Sequence, residues 1–285
     1  MQVFKEKTPL KAAIRTAKSK EKTIGLVPTM GALHEGHLSL VKQALQACDQ
    51  VIVSIFVNPT QFDNAEDLEK YPRTLEEDIR LLKEAGSKLW VFAPTANELY
   101  GKNISSEQFH FDGLEQVMEG KHRNGHFDGV GTIVKRLFEV ITPHKAFFGE
   151  KDFQQLQIVR KLIEKTGLPV QIVGCPILRE DNGLARSSRN ERLNTIEREK
   201  ASFIYQTLLK AKELFGTKSA EYIHNWVQEQ FDSHPILKLE YFEIANTQTL
   251  EKINRKRKGN TYRAFIAAYA GDVRLIDNIA LNNEE

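Results

Sequence analysis

The sequence predicts an α/β fold: a doubly wound, Rossmann-like parallel sheet, followed by a smaller C-terminal α+β domain. Three observations lead there. Short β-branched runs alternate with helical patterns through the first part of the chain, as parallel strands with right-handed crossovers require. One of those runs, 51–57 (VIVSIFV), is apolar at nearly every position, as in a strand buried on both faces. Past residue 190 the order changes to helices followed by strands. We place the division at 1–185 and 186–285.

The elements follow in order. IGLVP at 24–28 is a first strand. Residues 36–48 hold Leu38, Val41, Ala44 and Leu45 at helical spacing. The buried run 51–57 follows. Thr74 and Glu77 have the spacing of a capping box, and the helix they open stops at Gly86. Residues 89–92 form another strand. Ile133, Val134, Leu137, Phe138 and Ile141 share one helix face. Strand 146–148, helix 153–165 and strand 170–173 complete the alternation. In the second domain, 195–215 and 220–231 are expected as two helices, and 237–244, 262–270 and 273–277 as strands. Ala270-Gly271-Asp272 suits a tight hairpin turn. The tail, 282–285, is expected to fray.

Composition narrows the function classes. The 285 residues carry 40 Lys+Arg against 38 Asp+Glu, a net charge of +2, which does not suit a nucleic-acid binder. The one dense basic run, Arg255-Lys256-Arg257-Lys258, is expected to be a solvated turn. Cys48 and Cys175 are far apart and form neither a disulfide framework nor a zinc site. No segment has the length of apolar sequence that a membrane span needs, and the N-terminus lacks a signal-like stretch, so a cytoplasmic protein is expected.

Sheets of this kind bind ligands beyond the carboxyl ends of their strands. The strongest motif sits there: Met30-Gly31-Ala32-Leu33-His34-Glu35-Gly36-His37, between the first strand and the first helix. The helix start turns N–H groups and a positive dipole end toward a ligand, which suits a phosphate. Two imidazoles can donate to phosphoryl oxygens as charge develops. A zinc reading fails on spacing: the histidines are three apart with Gly36 between them, not four apart on one helix. A purely structural role for both histidines is the bland alternative.

Further motifs are weaker alone. Gly149-Glu150-Lys151-Asp152 follows a strand, and Lys151 is a mobile cation at a helix start. Asp152 could cap that helix or meet a sugar hydroxyl or Mg²⁺. Arg186-Ser187-Ser188-Arg189-Asn190 could clamp a triphosphate, or be a serine cap with surface arginines. Asn58 and Gln61 offer neutral polar groups directly after the buried strand. Residues 121–130, with His122 and His126, read as a loop that either borders a pocket or caps the helix after it. Neither a P-loop nor a G-x-G-x-x-G motif is present.

Together the motifs resemble the nucleotidyltransferase superfamily with the His-x-Gly-His signature, and more narrowly the pantoate–β-alanine ligase family. The matching pieces are PTMGALHEGH at 28–37, FVNPTQF at 56–62, YPRTLEED at 71–78, FGEKDFQQL at 148–156 and SSRN at 187–190. The resemblance implies that pantoate attacks the α-phosphorus of ATP and that β-alanine then attacks the pantoyl adenylate, releasing AMP. It implies that residues 30–37 contact ATP, with His37 as proton donor and His34 beside it. Gly149, Glu150, Lys151 and Asp152 would hold the nucleotide, Leu178 would lie against it, and Ser187, Ser188 and Arg189 would close over the triphosphate. Gln61 and Gln155 would bind pantoate, with Asn58 alongside and Gln61 bordering β-alanine. Mg²⁺ would ride on ATP rather than in a protein cage, with Asp78 as a possible protein contact and Glu77 beside it, where the capping-box reading competes, and no organic cofactor is implied. A homodimer is implied, with only small-molecule substrates as partners, and neither nucleic acid nor membrane.

One departure stands out: Arg186 replaces a methionine common in the family. It changes little if that position acts through its backbone, and adds a cation if the side chain turns inward. Other readings are a related adenylyltransferase using another small acid or a phosphorylated substrate, a non-catalytic nucleotide-binding module, and a tRNA-linked synthetase relative. The neutral character of Asn58, Gln61 and Gln155 weighs against a phosphorylated acceptor.

Overall fold

Strand β1 (Gln2–Phe4) begins the chain and pairs at the edge of a six-stranded parallel sheet. The other strands are β2 (Ile24–Thr29), β3 (Gln50–Ile55), β4 (Leu89–Phe92), β5 (Lys145–Gly149) and β6 (Gln171–Cys175). Their order is β1-β4-β3-β2-β5-β6. The helices of this part are α1 (Lys7–Lys18), α2 (Glu35–Ala47), α3 (Ala65–Lys70), α4 (Leu75–Ala85), α5 (Ala96–Tyr100), α6 (Met118–His122), α7 (His126–Ile141) and α8 (Phe153–Thr166). The computed structural model describes residues 1–253 and 255–282, so the expectation of fraying at 283–285 lies outside the described residues.

The parallel sheet forms for the reason the sequence suggests. All six residues of β3 are buried, and β2 is buried at every position but Pro28. β2 and β3 pair in register from Ile24↔Gln50 to Thr29↔Ile55. Val41 and Ala44 of α2 and Leu82 of α4 pack with Val27, Val51, Val53 and Val91 into one apolar core. Strand order reverses between β2 and β5, which places the ligand-binding edge where β2 ends at Thr29 and β5 at Gly149.

The chain divides into two units: 1–150 with 154–176, and 151–153 with 177–285. The second holds α9 (Thr195–Lys200), α10 (Ser202–Phe215), α11 (Ala220–Asp232) and an antiparallel sheet of β7 (Leu237–Asn246), β8 (Tyr262–Ala270) and β9 (Val273–Ala280). Leu208, Ala211, Ile223 and Val227 of its helices pack on Phe242, Ala264 and Ile266 of its sheet.

Four expectations change. The 195–215 helix is two helices, with Ala201 closing the first at Glu197 O. Thr74 caps α4 by position only: its hydroxyl reaches Asp78 Oδ1 at 3.3 Å, and Glu77 pairs with Arg80 instead of reaching back. The 121–130 segment is mostly helical, because α6 runs to His122 and α7 already starts at His126. The last strand continues to Ala280, three residues past the expected end. The basic run at 255–258 is exposed, as expected, with Lys256 bonded to Phe215 O.

Candidate active site

β2 leads into a loop held on two sides. Thr29 Oγ1 donates to Ser54 O at 2.7 Å and accepts the Gly31 N–H at 3.2 Å. Gly31 and Ala32 then take left-handed backbone conformations, with φ of 82° and 48°. This turns the next two N–H groups toward Asp78, a carboxylate only 1% exposed. It accepts Leu33 N–H at 2.7 Å and Ala32 N–H at 3.1 Å. Position 31 must be glycine twice over, since a Cβ there would also lie 2.9 Å from Asp78 Oδ2. Burial pushes the Asp78 carboxyl up, against the downward pull of these donors.

Asp78 is therefore reassigned. The family resemblance offers it, with Glu77, as a possible metal contact, but both its oxygens face loop and Thr74 donors. It anchors the loop. Equally, the N–H groups of Ala32 and Leu33 point at Asp78, so these two residues do not offer them to a phosphate.

The histidines cap α2. His34 Nδ1 accepts the Gly36 N–H at 3.1 Å, and His37 Nδ1 accepts the His34 N–H at 3.4 Å. The sequence motif is thus also a capping box made of imidazoles. A ring nitrogen that accepts a hydrogen bond carries no proton, so each neutral ring has its proton on Nε2. The two rings lie 4.0 Å apart between centroids. Two Nε2–H donors thus sit side by side at the start of a 13-residue helix, where the dipole favours an anion.

A second group follows β3. Gln61, 8% exposed, directs Nε2 toward Met30 Sδ at 3.2 Å. Asn58, 1% exposed, lies behind it. Asn58 Nδ2 donates to Gln61 Oε1 and to Gly129 O, both at 3.1 Å. Its Oδ1 accepts from Tyr100 Oη at 2.5 Å and Thr60 Oγ1 at 3.2 Å. Asn58 is therefore engaged within the chain on both its donor and acceptor sides. The start of α7 and the residue after α6 complete the grip: His126 Nδ1 donates to Gln61 O at 2.9 Å, and Arg123 Nη1 donates to His126 Nε2 at 3.1 Å. α7 approaches so closely that a Cβ on Gly129 would fall 2.3 Å from Thr60 O. Gln155 lies half-buried on α8, whereas its neighbour Gln154 is structural, bonding Glu119 N, Leu114 O and Val117 O.

The remaining candidates belong to the second unit, apart from Gly149 and Glu150, which end β5 and begin the turn after it. Lys151, largely buried, lies 3.8 Å from Asp152. Leu178 is an exposed leucine at 39%. Arg186 N–H bonds Leu178 O at 2.9 Å, and its guanidinium bonds Glu180 at 2.9 Å and Glu191 at 3.1 Å. The side chain that replaces methionine is thus tied to carboxylates of its own unit. Burial raises the Glu180 carboxyl, but Arg198, Asn190 and Arg186 together hold it at about 2. Ser187 Oγ caps the one-turn helix Ser188–Arg192 through Arg189 N at 3.3 Å.

The profile of the family described as pantoate-beta-alanine ligase matches residues 2–280. The chain belongs to the pantoate–β-alanine ligase family. It is 71% identical to the pantothenate synthetase of Christiangramia forsetii, over 99% of this chain and 100% of that one. It is 56% identical to the one from Flavobacterium psychrophilum, again over 99% and 100%. A crystal structure of the Thermus thermophilus pantothenate synthetase superposes with a TM-score of 0.90 at 39% identity, covering 99% of both chains. The Francisella tularensis pantoate-beta-alanine ligase, complexed with beta-gamma ATP and beta-alanine, superposes with a TM-score of 0.80 at 34% identity. That match covers 100% of this chain and 99% of that one.

Against the family resemblance drawn from sequence, the first unit ties Met30, Gln61 and Asn58 together and His34 to His37, with Asp78 holding the loop between Met30 and His34. Arg123 and His126 lie in the 121–130 stretch offered as a pocket border or a helix cap, and His126 meets the Gln61 turn. Tyr100, which no sequence motif marks, meets Asn58. Among the described residues, no helix is long and apolar enough to cross a membrane.

Proposed function

We infer that this chain joins pantoate to β-alanine at the expense of ATP, through pantoyl adenylate. The carboxylate oxygen of pantoate bonds to the α-phosphorus, and the bond from that phosphorus to the bridging oxygen breaks, releasing pyrophosphate. The amine of β-alanine then bonds to the acyl carbon, the acyl–oxygen bond breaks, AMP leaves, and the amine loses its proton. The observation that supports this reading best is the imidazole capping box. It fixes two Nε2–H donors at a helix start on the switch-point edge of the sheet. Negative charge on the phosphoryl oxygens grows as the carboxylate attacks, and imidazole N–H donors held at the helix start would stabilise it.

His37 and His34 are assigned to the phosphates, and the amide of Gln61 to pantoate. Asn58 is assigned to positioning Gln61, since its own polar groups are engaged within the chain. Gln155 is assigned to pantoate as well. On the second unit, Lys151, Ser187, Ser188 and Arg189 are assigned to phosphate oxygens, and Leu178 to an apolar contact with the nucleotide. Mg²⁺ is assigned to the substrate, as MgATP, where it would neutralise phosphate charge. A homodimer in the cytoplasm completes the proposal, on family resemblance, and light scattering tests the mass.

The decisive experiment measures ATP–pyrophosphate exchange and AMP release with each substrate omitted in turn. Exchange with pantoate alone, and AMP turnover only with both, is the expected result. Exchange without pantoate, or only with another acid, would overturn the substrate assignment and leave the related adenylyltransferase reading.

A further inference from the structure

The last strand carries a buried polar pair that the proposed reaction does not use. Asp277 is 4% exposed and Asn278 is 2% exposed, opposite Ile266 and Phe265 of β8. Neighbouring residues on a strand point to opposite faces, so the two can hold different segments. They do.

Asp277 takes Arg179 in a bidentate pair, at 2.6 Å from Nη1 to Oδ2 and 3.0 Å from Nη2 to Oδ1. Arg179 also donates to Gly183 O at 3.0 Å and lies 3.7 Å over the Tyr205 ring. Arg179 bridges Ala185 across the turn. One buried carboxylate thus fixes the turn whose flanks carry Leu178 and Ser187.

Asn278 holds the other segment. Its Nδ2 donates to Lys151 O at 2.9 Å, and its Oδ1 accepts from Arg263. Arg263 in turn lies 4.1 Å over the ring of Phe153, which meets Phe265 at 5.9 Å. The 151–153 turn is therefore fixed to the C-terminal sheet by a hydrogen bond, a cation–π contact and an aromatic pair.

A buried guanidinium–carboxylate pair adds little net stability over apolar residues of similar size, but it fixes geometry closely. We propose that Asp277 and Asn278 are positioning residues for the nucleotide's phosphates. Asn278 sets the backbone from which Lys151 reaches out, and Asp277 sets the turn between Leu178 and Ser187. A single strand thereby fixes the spacing of the phosphate contacts on this unit. The inference rests on the reading of Lys151 as a phosphate contact.

The test is a double-mutant cycle on MgATP affinity, measured by calorimetry on the full chain. Asn278→Asp keeps an acceptor for Arg263 but sets an oxygen against Lys151 O. It should weaken MgATP binding about tenfold in the native background and less than about twofold in a Lys151→Ala background. The pantoate KM should stay within about twofold, which a general loss of structure would not allow. Asp277→Asn, acting through Arg179, should instead add to Lys151→Ala. An Asn278→Asp effect equally large in both backgrounds would overturn the inference while leaving Lys151 in its role. Unchanged MgATP affinity in Lys151→Ala alone would overturn the Lys151 reading itself. Should Asn278→Asp not fold, as thermal unfolding would reveal, Asn278→Ala removes the donor without adding charge and carries the same cycle.

Discussion

His34 and His37 hold each other's helix end: His37 Nδ1 takes the His34 N–H at 3.4 Å, and His34 Nδ1 takes that of Gly36 at 3.1 Å. On the proposed reading capping and chemistry share the same two rings, and mutation can separate them. Asparagine is a good N-cap, so His34→Asn should preserve the start of α2. It should still lower turnover by roughly 10² or more, since an Nε2–H donor to the transition state is lost. His37→Ala should cost at least as much. Steady-state rates alongside thermal unfolding would check both, and a near-normal rate in either variant would remove that ring from the mechanism.

Asp78 offers a test of loop anchoring against metal binding. Asp78→Asn keeps the size but sets an NH₂ against one of the Ala32 and Leu33 N–H groups. The loop should shift by a fraction of an ångström, and kcat should fall by roughly 10 to 10². The Mg²⁺ concentration for half-maximal activity should stay as in the native chain. A large rise in that concentration would restore Asp78 as a metal contact.

The Gln61 turn makes a different prediction. Gln61→Ala should raise the pantoate KM well above any change in the ATP KM. Gly129→Ala touches no substrate, but its new Cβ would meet Thr60 O at 2.3 Å and force the turn away from α7. It should destabilise the chain by about 1–3 kcal/mol and raise the pantoate KM in the same direction as Gln61→Ala. A Gly129→Ala variant with native stability would contradict the close approach.

Glu180 makes acid a selective probe of the second unit. Its carboxyl is held at about 2 in the folded chain, below an ordinary 4.5, so its contribution is complete above about pH 4.5. That contribution is of the order of 3 kcal/mol and is lost as the pH falls toward about 2. Native protein should therefore unfold at higher temperature than Glu180→Gln at pH 7, and the gap should narrow steadily below pH 4.5. A gap independent of pH would refute the assignment of this charge network.

Much of this was legible in the sequence, for physical reasons that can be named. The runs around Ile52 and Val91 had to be buried strands, and the face from Ile133 to Ile141 had to be a helix. The phosphate-type motif was legible because its residues are consecutive. What escaped were contacts between residues distant in the chain. Nothing near Asp78 signals that Ala32 and Leu33 lie 46 and 45 positions away and need acceptors. Nothing around Lys151 signals that Asn278 holds its carbonyl across 127 positions. Thr74 and Glu77 had the spacing of a capping box, yet Arg80 competes for Glu77 and Asp78 for Thr74. The short β1 lacks the length to show a pattern, and the amphipathic α1 carries its buried Leu10, Ile14 and Ala17 amid many charged residues.

The loop from Thr29 to Leu33 has a thermodynamic consequence. Its left-handed Ala32 costs about 1–2 kcal/mol of local backbone energy. Folding of the first unit supplies that energy through Asp78 and Thr29, before any nucleotide arrives. A segment already immobilised has little chain entropy left to lose when a ligand docks. Where this loop meets the nucleotide, as proposed, the binding energy that a slack loop would consume in becoming ordered is then available for the reacting phosphorus.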